Sequence, residues 1–379
     1  MAGISVTEMN RRWNTVREVM QEKNLDFLIV QSSINIFPGS VRWLADLIVT
    51  DGYSISLIFP RNDEMTAFLH GSSGDSNRIG KGVKKCVYSP GLPTLASSYL
   101  QAEQVVHELS GYKDCHIGFV GMNLISGGFY KYIVEHLPGA KFEDATDFID
   151  SLKAIKSNEE FTLIRETCHI QDELFSGILP DIHAGNTVGE IRSELVQRAL
   201  NKGCSGINIV LWMSQPGKTL IRPSRSQVLK YGDQLDVMLE TDGPSGFWGE
   251  ISRPVFIGKA SAELKEHVEL SRQLQKSTVD LLKPGAKPTD IWEANNAALR
   301  KMNCLEERRI FAHGQGYDMV ERPCIDYFEP MPVQGNMLMA VHPQALSNKA
   351  IGWLCDNFAV KESGSPEWLH QTPQRVFEV

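Results

Sequence analysis

The sequence predicts an α/β (α+β) chain of two domains: a small α/β domain over residues 1–150 and a larger domain over 151–379 built from two related halves. Three observations carry this. Strand and helix patterns take turns through the first 150 residues. A helix-start signature follows at once, and one glycine-led helix motif then occurs twice, a hundred residues apart. At 379 residues the chain exceeds what one ordinary core accommodates.

In the first domain, Val6–Lys23 has the apolar spacing of an amphipathic helix and Asp26–Val30 reads as a short buried strand. Tyr53–Phe59 alternates and stops at Pro60, as a strand does. Leu95–Leu109 is helical, His116–Val120 strand-like and Gly128–Leu137 helical again, which implies a mixed or parallel sheet. The pattern breaks near Asp150. Ser157-Asn158-Glu159-Glu160 is then a capping box, with a serine to cap the first turn and a glutamate to reach back, and opens a helix running through Phe175.

The echo pairs Gly185–Ile191 and its helix Arg192–Lys202 with Gly285–Ile291 and its helix Trp292–Met302. Strand patterns at Ile207–Met213 and Leu235–Leu239 answer those at Ile310–Phe311 and Met337–Val341. Two such halves would form one antiparallel sheet with helices on its outer face.

The balance of charge excludes some functions. A net charge of −8 provides no basic field for phosphate backbones, so nucleic acid is not expected as a partner. No apolar run has the length of a membrane span, and Met1–Ser5 lacks the features of a signal peptide, so no membrane association is expected. Seven scattered cysteines with no CxxC pair suit a reducing cytoplasm and exclude a common zinc knuckle.

The chemistry-bearing residues concentrate late. Ala312-His313-Gly314-Gln315-Gly316, Glu321-Arg322-Pro323, Val341-His342-Pro343 and Trp353-Leu354-Cys355-Asp356 follow one another, with Gly246–Arg253 upstream. This series resembles the pita-bread family of methionine aminopeptidase, aminopeptidase P, prolidase and creatinase. The resemblance extends over nearly the whole chain: residues Asn35–Leu44 match the "N-I-x-Y-L" of a creatinase-type amino-terminal domain, and Ile155–Glu160 match the opening of the catalytic domain.

In that family two aspartates, a histidine and two glutamates hold two metal ions. Here the resemblance puts Glu250 at the second aspartate and Leu239 at the first, with neighbouring Glu240 expected on the other face of a regular strand. His313 keeps the histidine position, while His342 and Cys355 replace the glutamates. Ile221 falls near the upstream shuttle histidine, and Val320 replaces the second histidine of the signature. So few carboxylates are poorly suited to offset two neighbouring divalent ions.

Three readings of the pocket remain open. In the first, no metal is bound and His313 and His342 act as general acid and base, oriented by Glu250 and Glu321 as in creatinase. In the second, Cys355 is a nucleophile activated by His342. In the third, His313, His342, Cys355 and Glu250 hold one zinc, iron or manganese ion. Substrate contacts are expected from Tyr317 and Arg322, and from Arg42 and Trp43 of the first domain. Arg253 reads equally as a structural ion-pair partner.

Together these readings imply a cytoplasmic homodimer in which the first domain of one subunit stands near the site of the other. The expected activity is metal-independent hydrolysis or lyase cleavage of a C–N or related bond in a small zwitterionic molecule, with peptidase activity doubtful and no cofactor. The alternatives are an aminopeptidase P-like enzyme with an atypical mononuclear metal site and an inactive pita-bread binding protein.

Overall fold

The computed structural model describes residues 3–33, 36–49, 53–70, 80–89, 95–214 and 221–379. Asn35, at the head of the amino-terminal motif, lies outside them. The chain separates into two compact units, Gly3–Lys153 and Ala154–Val379.

The first unit comprises α1 (Val6–Glu22), β1 (Phe27–Ser32), α2 (Gly39–Ala45), β2 (Ile55–Pro60), β3 (Met65–His70), β4 (Val83–Ser89), α3 (Leu95–Leu109), β5 (His116–Val120), α4 (Gly127–His136), β6 (Lys141–Asp144) and α5 (Thr146–Ala154). Its mixed six-stranded sheet has the order β4-β3-β2-β1-β5-β6. α5 runs through Asp150, where the sequence pattern breaks.

The second unit opens with α6 (Asn158–Ile178), whose start is the capping box expected: Ser157 Oγ accepts from Glu160 N at 3.2 Å, and Glu160 Oε2 from Ser157 N at 2.6 Å. Then come α7 (Val188–Asn201), β7 (Ile207–Ser214), β8 (Gln234–Asp242) and β9 (Trp248–Phe256). The second half repeats the plan with α8 (Ala262–Leu281), α9 (Pro288–Lys301), β10 (Ala312–Gly314), β11 (Glu321–Cys324), β12 (Leu338–Val341), β13 (Gln344–Leu346), β14 (Ile351–Trp353), β15 (Asp356–Ala359), β16 (Glu367–Trp368) and β17 (Phe377–Glu378). The two echoed helices start differently. Thr187 caps α7 with a second capping box, whereas α9 has no side-chain cap and relies on Pro288 in its first turn. The strand expected at Ile310–Phe311 is displaced to Ala312–Gly314, since only from Ala312 does the backbone pair with β12.

In place of the one antiparallel sheet expected, the halves form two, β17-β9-β8-β7, in which β17 of the second half adds in parallel to β9, and β11-β10-β12-β15-β16, and the Ser252–Cys355 bridge joins them. Leu235, Val237, Leu239, Ile251 and Val255 turn outward into one core with Phe175 of α6 and Leu195 of α7. Ala312, Met339, Val341 and Phe358 form the corresponding core with Val279 of α8 and Ile291 of α9. With the outer faces packed under helices, strand alternation leaves the inner faces for chemistry.

Candidate metal centre and active site

The inner face of the first half carries Gln234, Asp236, Met238 and Glu240 on β8, paired across β9 with Phe256, Pro254, Ser252 and Glu250. Glu240 therefore stands opposite Glu250, and Leu239 is buried among the outer, helix-facing residues. This corrects the residue-by-residue alignment that put Leu239 at the first ligand position. The alternation of Leu235, Val237 and Leu239 with Gln234, Asp236 and Glu240 was the signal that could have found Glu240.

Glu250 is fully buried, and both histidines converge on it. His313 Nε2 lies 3.5 Å from Glu250 Oε2, His342 Nε2 lies 3.8 Å from Oε1, and the imidazole centroids are 5.3 Å apart. Among the described residues, these three form a group whose ligand atoms all lie within 4.8 Å of one another. Cys355 Sγ donates to Glu250 Oε1 at 3.0 Å.

Burial raises Glu250's pKa, but His342 and His313 outweigh it and hold the carboxyl at about 2. Burial opposes charge on His313, yet Glu250 raises its pKa. Burial lowers His342 to about 3 against the pull of Glu250, with His313 adding repulsion. At rest Glu250 is thus a carboxylate and His342 a neutral imidazole, while Glu250 favours the protonated form of His313. Burial and Glu250 push Cys355 well above its usual value, so it is a protonated thiol and a hydrogen-bond donor. Burial and the facing Glu250 likewise push Glu240 well up, and Asn208 Nδ2 donates to it.

This geometry suits a metal ion. Glu250 Oε2 and His342 Nδ1 are buried without a hydrogen-bond partner. The 3.5 and 3.8 Å separations exceed hydrogen-bond lengths and approach the ~3.4 Å between ligands of a tetrahedral zinc. His313 Nδ1 lies 2.8 Å from Gly314 O, so with its proton there Nε2 is free to ligate.

Two clamps hold Glu250 through its backbone. Asn357 Oδ1 accepts from Glu250 N at 2.7 Å, and His370 Nε2 lies 3.1 Å from Glu250 O. Asp172, 3.6 Å from His370 Nδ1, also accepts from Gln371 N and Thr372 N. Sequence reasoning assigned no role to Asn357 or His370.

Several expected contacts are turned elsewhere. Glu321 pairs with buried Lys156 at 2.7 Å and accepts from Asp318 N, rather than orienting the histidines. The two signature glycines serve this segment: a Cβ at Gly314 would sit 2.4 Å from Arg322 O, and one at Gly316 would sit 2.5 Å from Glu321 Oε1. Arg322 grips Glu329 at 2.6 Å, and Tyr317 is buried against Phe247 at 4.1 Å. Arg253 lies on the face opposite Glu250 and pairs with Asp356 at 2.5 Å. In the first unit, Trp43 is a core residue beneath Arg12 and Arg42 is buried in α2.

Fold and site together define a two-sheet enzyme scaffold with a buried carboxylate–imidazole cluster at the join of its halves. The profile of Metallopeptidase family M24 matches residues 162–363. The chain is 23% identical over 397 residues to the uncharacterized hydrolase/peptidase y4tL of Sinorhizobium fredii, covering 97% of this chain and 96% of that protein. It is 22% identical over 314 residues to the ectoine hydrolase of Halomonas elongata, covering 77% and 76%. The crystal structure of prolidase from Thermococcus sibiricus superposes with a TM-score of 0.82 at 15% identity, covering 100% of both chains. The chain belongs to Metallopeptidase family M24 and is a hydrolase with the pita-bread fold.

That membership overturns the expectation of a site without a cofactor. The family is one of metallopeptidases, and Glu250, His313 and His342 still form a ligand set. Counting lost carboxylates left Glu240 on the face away from the site, where the strand register instead turns it inward, and gave imidazole too little weight as a ligand. Among the described residues, no helix is long and apolar enough to cross a membrane.

Proposed function

We propose that this chain is a metal-dependent hydrolase that adds water across a C–N bond of a small zwitterionic molecule. The observation that carries the reading is the convergence of Glu250, His313 and His342 on one buried point, with Glu250 Oε2 unpartnered. These three residues would hold the ion, with Glu240 facing them across the strand pair. A divalent ion held there would supply Lewis acidity to the heteroatom of the group under attack, making its carbon more electrophilic.

The remaining roles belong to the chain. Asn357 and His370 fix the Glu250 backbone, so the carboxylate is aimed before any ligand arrives. His342, neutral at working pH, contributes a lone pair rather than a proton. Glu240, whose carboxyl retains its proton well above the usual range, is the group suited to deliver one to a departing nitrogen. Cys355 acts as a donor that steadies Glu250. With imidazole and thiol at positions 342 and 355, the site carries less negative charge than a carboxylate-lined one. That favours a substrate bearing its own carboxylate, and the likeness to an ectoine hydrolase supports a small zwitterion. We further infer a homodimer working in a reducing compartment, in keeping with seven cysteines that form no disulfide.

The test is metal analysis of protein from metal-supplemented culture, combined with turnover of ectoine and of the dipeptide Ala-Pro. At least one bound divalent ion per chain, lost in Glu250→Ala, and hydrolysis of ectoine faster than of Ala-Pro are expected. A metal-free protein with full activity would sink the metal assignment, and faster cleavage of Ala-Pro would sink the substrate assignment.

A further inference from the structure

Beside the proposed metal site, the same inner face turns apolar. Val210 of β7, Met238 of β8 and Trp353 of β14 form a buried cluster against which Trp212 packs. Trp212 meets Trp353 edge-on at 6.4 Å, and Trp353 Nε1 donates to His342 O at 3.2 Å. An aromatic wall thus leads from His342 outward to Trp212.

Arg222 stands at the outer end of that wall. It is exposed, and its guanidinium carbon lies 5.2 Å from the centroid of the Trp212 ring. Its backbone is anchored: Met213 and Ile221 exchange two hydrogen bonds, 2.9 Å and 2.8 Å, one residue away on each side. Among the described residues, Arg222 makes no direct ion pair or hydrogen bond with a carboxylate, and its charge is felt by Glu240 across the site. The guanidinium lies over the indole with no hydrogen bond to its N–H groups among the described residues, which leaves them for two-pronged binding of a carboxylate.

The charge distribution supports that ligand. Glu250 places a buried negative charge at this end of the sheet, in a chain of net charge −8. An anionic substrate needs a local cation to approach it. Trp212 pairs with Asp236, four residues before Glu240 on β8, or roughly 13 Å at ~3.3 Å per residue. A molecule of amino-acid to dipeptide size bridges that span.

Resting on the hydrolase reading above, we propose that Arg222, stacked on Trp212, binds the substrate carboxylate, while Trp212, Trp353, Met238 and Val210 line its apolar body. The substrate class is then a small amide or amidine that carries a free carboxylate.

The experiment uses the full-length, metal-loaded protein with N-acetyl-L-leucine and its uncharged counterpart N-acetyl-L-leucinamide as probes. Binding is read by calorimetry and by tryptophan fluorescence. The acid is expected to bind about tenfold or more tightly than the amide. Arg222→Ala is expected to remove that preference, Arg222→Lys to restore part of it, and both to keep the wild-type circular dichroism and metal content. Equal binding of acid and amide, no binding of the acid, or a preference unchanged in Arg222→Ala overturns the assignment. Bound metal without discrimination defeats the Arg222 assignment alone. Discrimination without bound metal or C–N hydrolysis defeats the hydrolase reading alone.

Discussion

The thiol of Cys355 donates to the carboxylate of Glu250 at 3.0 Å, at the point where the two sheets of the second unit are bridged. A cysteine in this position is a neutral donor rather than a nucleophile, because burial and the adjacent carboxylate both oppose the thiolate. Iodoacetamide at pH 8 should therefore leave Cys355 unmodified in the native protein while labelling Cys86 and Cys324, which are partly exposed. Mass spectrometry of the labelled peptides checks this, and rapid labelling of Cys355 would contradict it.

Metal binding should depend on pH through His313. Glu250 raises the pKa of this imidazole against burial, so an ion competes with a proton there to a higher pH than at an ordinary histidine. His342, lowered to about 3, and Glu250, lowered to about 2, are already deprotonated at neutral pH and release nothing. Apparent affinity should therefore rise with pH from 6 to 8, by no more than about tenfold per unit for one released proton. Chelator-buffered titrations measure the slope, and a flat profile would remove His313 from the ligand set.

Asp236 is a buried liability. Its Oδ1 has no hydrogen-bond partner, and burial raises its pKa to about 8 despite the hydrogen bond from Gln234. The folded chain keeps this proton up to about pH 8, whereas the unfolded chain loses it near its ordinary value of about 4. Stability from this group is thus present at acid pH and falls as pH rises from about 4 to about 8. Asp236→Asn should be more stable than wild type by a few kcal/mol at pH 8, with little difference at pH 4. Urea unfolding at the two pH values tests both the sign and the trend.

The Arg253–Asp356 pair has no solvent exposure on either side. Arg253 also donates to Cys355 O at 2.8 Å and Thr372 O at 2.8 Å, so it ties β9 to the strand beyond the join. Asp356→Ala leaves an unpaired buried guanidinium and should cost about 3–5 kcal/mol. Replacing both partners with apolar residues should cost less than that single change. Denaturant midpoints of the two variants decide the matter.

Asn357 should affect the site without touching a ligand side chain. Asn357→Ala leaves Glu250 N without its acceptor and should cost about 1–3 kcal/mol of stability. If the clamp aims Glu250, the variant should also bind metal more weakly at a temperature where it remains fully folded. Unchanged metal affinity would reduce Asn357 to a packing role.

Much of the fold was legible because it rests on local rules. The Ser157–Glu160 capping box and the spacing of α3 and β5 are satisfied within a few residues of sequence. The ligand register was less legible because it depends on pairing. Glu240 meets Glu250 because the β8–β9 hairpin closes ten residues apart, a one-residue difference that reverses which side chain faces the site. Tyr317, Arg322 and Glu321 looked functional because they lie inside the signature loop. Their partners Phe247, Glu329 and Lys156 are supplied by the folded chain, two of them from far along the sequence. Arg222 and Trp212 were silent as a pair, since an arginine ten residues after a tryptophan has no pattern until Met213 and Ile221 are bridged.

The Ser252–Cys355 bridge has a consequence for how the protein matures. Glu250 belongs to the first of the repeated halves, and His313, His342 and Cys355 to the second. Among the described residues, the Glu250–His313–His342 group draws on both halves, so neither half alone assembles it. The proposed metal site would therefore exist only once the seam has closed, so metal uptake would report that the two halves have met.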